Sequence, residues 1–234
     1  MKALRYFLGI VCSLAVLVTL LISSVELAVY GDFGYFEKEY AKYGVLDDVH
    51  MEMDDLMDVT REMMAYLRGD REDLHVMTVV GGEPREFFNE REIAHMEDVR
   101  GLFLGGLMLR RICIGLALAC LVALILMKSN LKRLLPSAFQ WGTGLFLAIL
   151  AVLALLISGD FDRYFVLFHK IFFTNDLWIL DPATDLLINI VPEPFFMDTA
   201  ARIGILFAIL IGLVLAVSTG FRIYFHKKEK LSHE

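Results

Sequence analysis

Four long apolar runs, each able to cross a bilayer, constrain this chain more than any other feature. They cover residues 6–29, 102–127, 138–158 and 203–221. An apolar run of about 18 residues or more reads as a membrane-spanning helix, because about 20 helical residues match the hydrocarbon thickness. The first run is broken only by Glu26 near its far end, and the second by Arg110 and Arg111. Hydrophobic residues are 57% of the 234, above the roughly 45–50% of a soluble domain, and the excess sits in these runs. Mean hydropathy is +0.60. No soluble core of this size needs four such helices. The expected fold is mainly α: a polytopic membrane protein with four transmembrane helices, a small extracellular α+β cap and interfacial helices.

Lys2 and Arg5 precede the first run, as in a signal peptide. The run is longer than a signal core, and no small-x-small cleavage pattern follows it, so it reads as an uncleaved span. Orientation follows from the basic residues. Lys2 and Arg5 flank the first run, Lys128, Lys132 and Arg133 fill the link between the second and third, and Arg222, Lys227, Lys228 and Lys230 follow the fourth. With four spans these places share one side, expected to be cytoplasmic. Residues 31–100 carry 19 acidic and 8 basic side chains, a net charge of −11, and are expected outside. The domains expected are therefore the first span (1–30), an acidic extracellular cap (31–100), the second and third spans with their cytoplasmic loop (101–158), an extracellular interfacial segment (159–201), and the fourth span with a cytoplasmic tail (202–234). The basic residues are scattered topology signals, which argues against a nucleic-acid partner. The only cysteines, Cys12, Cys113 and Cys120, lie in apolar runs and read as buried free thiols.

The cap has readable pieces. Val49, Met53, Leu56, Met63, Met64 and Leu67 fall at helical spacing and predict a helix over 48–68, capped by Asp47 or Asp48, with Gly69 just past its end. Residues 74–80 predict a strand that turns at Gly81-Gly82 and pairs with 85–88. A second helix is expected to begin at Asn89, where Asn89 and Glu92 have capping-box spacing. It carries His95 and, three residues on and so on the same face, Asp98.

Residues 159–201 are too apolar and aromatic for a free loop. Residues 161–173 predict a helix lying in the membrane interface, with His169 stacked among Phe165 and Phe172 and Asp162 two turns back. Asn175, Trp178 and Asp181 follow. Asp181-Pro182 can open a short helix through Asn189, Pro192-Glu193-Pro194 is expected to force an extended turn, and Asp198 can cap the fourth span. An aromatic belt accounts for the Phe and Trp residues, but not for an interfacial histidine, asparagine and carboxylates.

No G-x-S-x-G elbow, H-E-x-x-H pair, P-loop or dinucleotide fingerprint occurs. His95 and His169 remain, expected on one side of the membrane near the depth of glycerol esters. Histidine is the side chain suited to move protons at neutral pH, and a pair beside ester carbonyls points to acyl transfer or ester hydrolysis. His50 and His75 read as plain polar residues of the cap, and His226 and His233 as residues of the inner tail.

Two segments carry a family resemblance: 88–99 (FNEREIAHMEDV) and 168–182 (FHKIFFTNDLWILDP), the latter continuing to Pro192-Glu193-Pro194-Phe195-Phe196, with a weaker match at Tyr66-Leu67-Arg68-Gly69. Over nearly its whole length the chain resembles the bacterial lipoprotein intramolecular transacylases, four-span membrane proteins of Gram-positive bacteria. The resemblance implies diacylglyceryl-modified lipoproteins as substrate. It implies transfer of the acyl chain on the second glycerol carbon to the cysteine α-amine, giving the lyso form, with catalysis by His95 and His169. No cofactor is expected, because an amide replaces an ester without an energy source. Support is expected from Asp98, Glu92, Asp162, Asn175, Trp178, Asp181 and Glu193, with Asp98 and Asp162 as candidates to orient the imidazoles. Membrane lipid is the expected surrounding partner, and a monomer the expected state. Other readings stay open: a membrane esterase or lipase using the same pair, a metal enzyme with His95, His169, Asp98 and Glu193 as ligands, or a lipid or lipopeptide binder without chemistry.

Overall fold

The computed structural model describes residues 2–231. His233 lies outside them, and the side chains of Arg222, His226, Lys227, Lys228 and Lys230 lie outside the described ones. The chain is mainly α, with four helices long and apolar enough to cross a membrane: Lys2–Tyr30, Glu90–Leu126, Leu131–Leu156 and Glu193–Gly220. They belong to α1 (Lys2–Tyr30), α5 (Glu90–Leu126), α6 (Leu131–Gly159) and α9 (Glu193–Leu231). Between α1 and α5 come α2 (Gly34–Tyr43), α3 (Val45–Val49), α4 (Met53–Arg68) and the hairpin β1 (Met77–Val80) and β2 (Glu83–Glu86); between α6 and α9 come α7 (Phe161–Phe172) and α8 (Leu186–Ile190).

The chain divides into two compact units. One comprises Met1–Val25, Met108–Phe161 and Ile203–Glu234. Its apolar centre is Leu17, Phe139, Phe207 and Ile211. Small residues bring its helices together: a methyl on Gly142 would stand 2.5 Å from Ser13 Oγ, and one on Gly9 would stand 2.7 Å from Leu134 Cδ2. The Arg5 guanidinium donates to the Met127 carbonyl at 2.6 Å, joining the start of α1 to the chain just past α5.

The other unit comprises Glu26–Leu107 and Asp162–Arg202. Its core is the methionine stripe turned inward. Leu56, Met57, Val59, Met63, Met64 and Leu67 of α4 are buried with Tyr40, Phe87, Phe88, Ile190 and Phe195. The Tyr40 hydroxyl meets the Thr60 hydroxyl at 2.8 Å, and its ring stacks on Phe195 with centroids 6.1 Å apart. Thus α2 and the first turn of α9 close over α4.

The structure corrects the sequence expectations at several places. The helix expected over 48–68 is two helices. Asp47 and Asp48 lie inside α3, which ends at His50 in the left-handed region (φ 54°), and α4 starts only at Met53. Its end is as expected: Gly69 takes φ 88°, and the Asp70 N–H returns to the Ala65 carbonyl at 2.9 Å. The strand expected over 74–80 narrows to β1, and its partner is Glu83–Glu86 rather than 85–88, with Val80 opposite Glu83 across the Gly81-Gly82 turn. Asp181 to Thr184 make a turn rather than a helix, and only 186–190 are helical, because the Asp181 carboxylate accepts the Ala183 N–H at 2.9 Å and holds a local turn. Pro192-Glu193-Pro194 do not force an extended turn. Pro194 lies in the first turn of α9, where a proline lacks no needed hydrogen bond, and so Asp198 lies within the helix. Its carboxylate accepts from Lys42 and Tyr43 of α2 instead of capping.

Candidate active site

The site is assembled from the start of α5 outward. Asn89 and Glu92 form a reciprocal cap. The Asn89 N–H donates to Glu92 Oε2 at 2.7 Å, and the Glu92 N–H donates to Asn89 Oδ1 at 3.0 Å. Glu92 is 1% exposed, and its second oxygen accepts the Leu187 N–H at 2.6 Å. The Asn89 amide donates to Asp185 at 2.8 Å, and Asp185 also accepts the Asp181 N–H at 2.7 Å and the Thr184 hydroxyl at 3.1 Å. One helix start therefore anchors residues 181–187.

The same helix holds the other end of that connection. The Asn175 amide donates to Asp98 at 2.8 Å, and the Arg91 guanidinium donates to the Asp176 carbonyl. Since α7 ends at Phe172, these two bonds fix where its last turn lies against α5. That brings the two histidines together, with ring centroids 6.1 Å apart and each side chain buried.

Their surroundings are aromatic. The His95 and Phe173 rings meet edge to face, with centroids 5.4 Å apart. His169 packs against Phe165 at 4.2 Å, Phe168 at 5.4 Å and Phe173 at 5.5 Å, and stacks on Trp178 at 4.8 Å with 27° between planes. Phe172 packs on Phe168 instead. An i, i+4 relation returns to nearly the same face of a helix, whereas i, i+3 falls 60° short. Phe173, whose N–H bonds the His169 carbonyl at 2.8 Å, thus takes the place expected of Phe172.

His169 Nδ1 lies 2.7 Å from the Phe165 carbonyl oxygen. A carbonyl only accepts, so Nδ1 carries the proton and Nε2 of the neutral ring keeps a lone pair. Main chain, and not Asp162, orients this imidazole. Asp98 hydrogen-bonds Asn175 and influences His95 through its charge. His95 Nδ1 is buried with no hydrogen-bond partner among the described residues.

Burial keeps both rings neutral. It pushes His95 down to about 4, helped by the neighbouring His169 and by Arg91, with Asp98 pulling the other way. It also lowers His169, partly offset by the Phe165 carbonyl. Burial raises Glu92 despite its two N–H donors. Burial works to raise Asp185 too, but the Asp181 N–H, the Asn89 amide and the Thr184 hydroxyl outweigh it and leave Asp185 low.

Of the residues named from sequence, His95, His169 and Trp178 form the centre. Glu92, Asp98, Asn175 and Asp181 belong to the hydrogen-bonded frame, Asp181 through its N–H on Asp185. Glu193 is exposed at the start of α9, with no described contact to either ring. Phe173, Asn89 and Asp185 were not singled out as site residues. Asn89 had a signal as the start of a capping box with Glu92, and Asp185 and Phe173 had none beyond lying near the histidine segments. A cavity of about 470 Å³ borders the centre, lined by Val166, Lys170, Phe173, Asn175 and Trp178 among others. Among the described residues no group of three or more His, Cys, Asp and Glu side chains is gathered as a metal would require, so the four-ligand set is not assembled. His50 caps α3, and His75 pairs with Glu86 at 3.1 Å in the open.

The family model described as "Lipoprotein intramolecular transacylase Lit" matches residues 10–196. No curated protein matches the chain. Among solved structures, the membrane-integral lipoprotein intramolecular transacylase Lit of Bacillus cereus is similar at 22% identity, with a TM-score of 0.76, covering 99% of this chain and 100% of that one. Two variants of that protein, each with one histidine replaced, are similar at 22% identity. The arginine variant has a TM-score of 0.75 and covers 99% of this chain and 96% of its own; the alanine variant has 0.74, 98% and 97%.

The frame should fail before the chemistry does when Glu92 is removed. Glu92→Ala leaves the buried Leu187 N–H unpaired, at about 1–3 kcal/mol, and removes the partner of the part-buried Asn89 N–H at a smaller cost. A clear fall in Tm in detergent is expected, with activity lost alongside. Asp162→Ala and Glu193→Ala should keep wild-type Tm and turnover. A Glu92→Ala protein as stable as wild type would contradict this frame.

Proposed function

The chain belongs to the lipoprotein intramolecular transacylase family, and from that premise we propose that it carries the acyl chain on the second glycerol carbon of a diacylglyceryl-cysteine to that cysteine's own α-amine, leaving the lyso-form lipoprotein. Intramolecular acyl transfer in lipoproteins is the family's reaction, and this multi-pass membrane protein is an acyltransferase of that kind. One observation carries the assignment of roles: two neutral, buried imidazoles with centroids 6.1 Å apart, one of them with its Nδ1 proton held by a backbone carbonyl.

The reaction joins nitrogen to the ester carbonyl carbon and breaks that carbon's bond to the glyceryl oxygen. The attacking amine must lose a proton, and His169 Nε2 is the acceptor. Its conjugate acid then returns that proton to the departing glyceryl oxygen. His95, neutral at physiological pH, donates a ring N–H to the carbonyl oxygen as negative charge builds there. Amine and ester belong to one molecule, so alignment can supply about 7–11 kcal/mol of the barrier. The aromatic walls keep water from competing for the ester. Asp98, Asn175 and Glu92 act through the frame. No cofactor enters the balance. The protein works as a monomer among membrane lipids. Residues 31–100 and 159–201 face the outside as cap and interfacial segment, both termini face the cytoplasm, and the site works at the outer leaflet. The acidic 31–100 segment and the basic flanks of the other segments support this orientation.

Topology is tested by cysteine labelling in a protein lacking Cys12, Cys113 and Cys120. An impermeant reagent applied to intact cells should label a probe in the β1–β2 turn and spare Ser232→Cys. Labelling of Ser232→Cys would reverse the orientation.

Each histidine should matter far more than any other. His95→Ala and His169→Ala are expected to cut kcat by about 10²–10⁴-fold with the protein still folded. The double variant should lose little more, because the two act as a unit. His169 must be neutral to accept a proton, so kcat should fall as pH drops through a pKa below its ordinary 6.5. A midpoint above 6.5 would remove His169 as the base.

The reaction itself is tested by mass. Purified protein given a diacylglyceryl lipopeptide with a free amine should yield a product of unchanged mass, with one acyl chain on nitrogen by fragmentation. Acetylating the amine should stop it. Release of free fatty acid from the acetylated substrate would make the protein an esterase.

A further inference from the structure

The proposed transfer passes through a state in which His169 is an imidazolium. A charge forming in a buried aromatic pocket needs stabilisation that the neutral ring does not. The Phe165 carbonyl supplies part of it at Nδ1. No carboxylate hydrogen-bonds this ring among the described residues, so what remains must come from its faces.

One face is covered by indole. Trp178 is half-buried and comes from the connection after α7, which Asn175 and Arg91 pin to α5. Its plane lies 27° from the imidazole plane, whereas Phe168 meets the ring edge-on at 81° and Phe173 is tilted by 42°. Phe165, tilted by 49°, is the other close ring at 4.2 Å. A cation over an aromatic face is attracted by the ring quadrupole, indole most strongly. A neutral imidazole gains little from that quadrupole. The interaction therefore grows as the proton arrives, which is the condition for lowering a barrier and not merely binding substrate.

We infer that Trp178 is a positioning residue for the transfer: its stacked indole face holds the His169 ring and stabilises the imidazolium formed during proton transfer. The consequence for rate rests on the proposed reaction; the stacking and its effect on protonation do not. The charged and titratable groups around the pair are His95, with Asp98 and Arg91 behind it on α5, and Lys170 beside His169 on α7.

The chain has two tryptophans, Trp141 and Trp178, so Trp141→Phe leaves Trp178 as the sole indole reporter. A protonated imidazole quenches an indole in contact with it more strongly than a neutral one does. In Trp141→Phe protein without substrate, emission should fall as pH is lowered, with a midpoint below 6.5 set by His169. His169→Gln should abolish that step, and His95→Gln should retain it. In the turnover assay, Trp178→Phe should lower kcat modestly and Trp178→Leu by roughly 3- to 30-fold, the range from an exposed to a desolvated cation–π contact. KM should stay unchanged, and the acid limb of kcat should move to lower pH, because the cation has lost its partner. If Trp178→Leu does not fold, Trp178→Phe carries the kinetic test, and the quench needs no change at Trp178.

A flat emission titration, a step surviving in His169→Gln, or full kcat with an unmoved acid limb in Trp178→Leu would each overturn the inference. The arms separate the two claims. A His169-dependent quench in a protein that releases fatty acid keeps the stacked pair and rejects the transfer. A mass-neutral product from a protein with no quench does the reverse.

Discussion

Everything in the candidate site hangs on how one helix begins. The orphan N–H groups at the start of α5 are met by side chains, and Glu92 does this with one oxygen while its other oxygen reaches Leu187. A carboxylate with one oxygen on each of two segments fixes their separation in a way apolar contact cannot. Asn89 adds a second link through Asp185. Three and six residues further along the helix, His95 and Asp98 inherit that fixed start, and Asp98 passes it on through Asn175 to the end of α7. The distance between the two imidazoles is thus a result of capping at a helix terminus.

Around that frame the pocket has one electrical character. Aromatic rings surround His169 and Phe173 packs on His95, and burial lowers the pKa of each histidine. Neutral rings suit a reaction that needs an acceptor lone pair and an N–H donor together. Two imidazolium groups in such a pocket would repel each other and have no solvent to disperse their charge. The carboxylates stay one step back: Glu92 and Asp185 on backbone and amide donors, Asp98 on Asn175. Their charge holds the frame without taking up either ring.

Much of this was readable in the amino acids, and the failures have physical reasons. The spans were legible because length and hydropathy leave little choice in lipid. The capping box and the Gly81-Gly82 turn were legible because local geometry demands those residues. His95 and His169 stood out as titratable groups expected on one side of the membrane, near the depth of glycerol esters. The helix α2 was not read, since Tyr35, Phe36 and Tyr40 sit among charges and its partner, Phe195, is more than 150 residues away in sequence. Asp198 looked like a cap because the run after it is apolar; only Pro194, read as a breaker, marked the true start. That the Phe165 carbonyl, and not Asp162, would orient His169 has no sequence signal, because a carbonyl is present at every residue.

That last point bears on how the site tolerates change. A histidine oriented by an aspartate can lose its orientation through one codon change. The group that orients His169 is main chain, set by the pitch of α7 rather than by what residue 165 is. Side-chain scanning passes over it, and drift at position 165 leaves the oxygen in place. The surrounding residues are free to vary for fit to lipid or substrate while the tautomer stays fixed. Only a change to the backbone, such as a proline in the last turns of α7 or an ester in place of an amide, would reach the group that keeps Nε2 free to accept a proton.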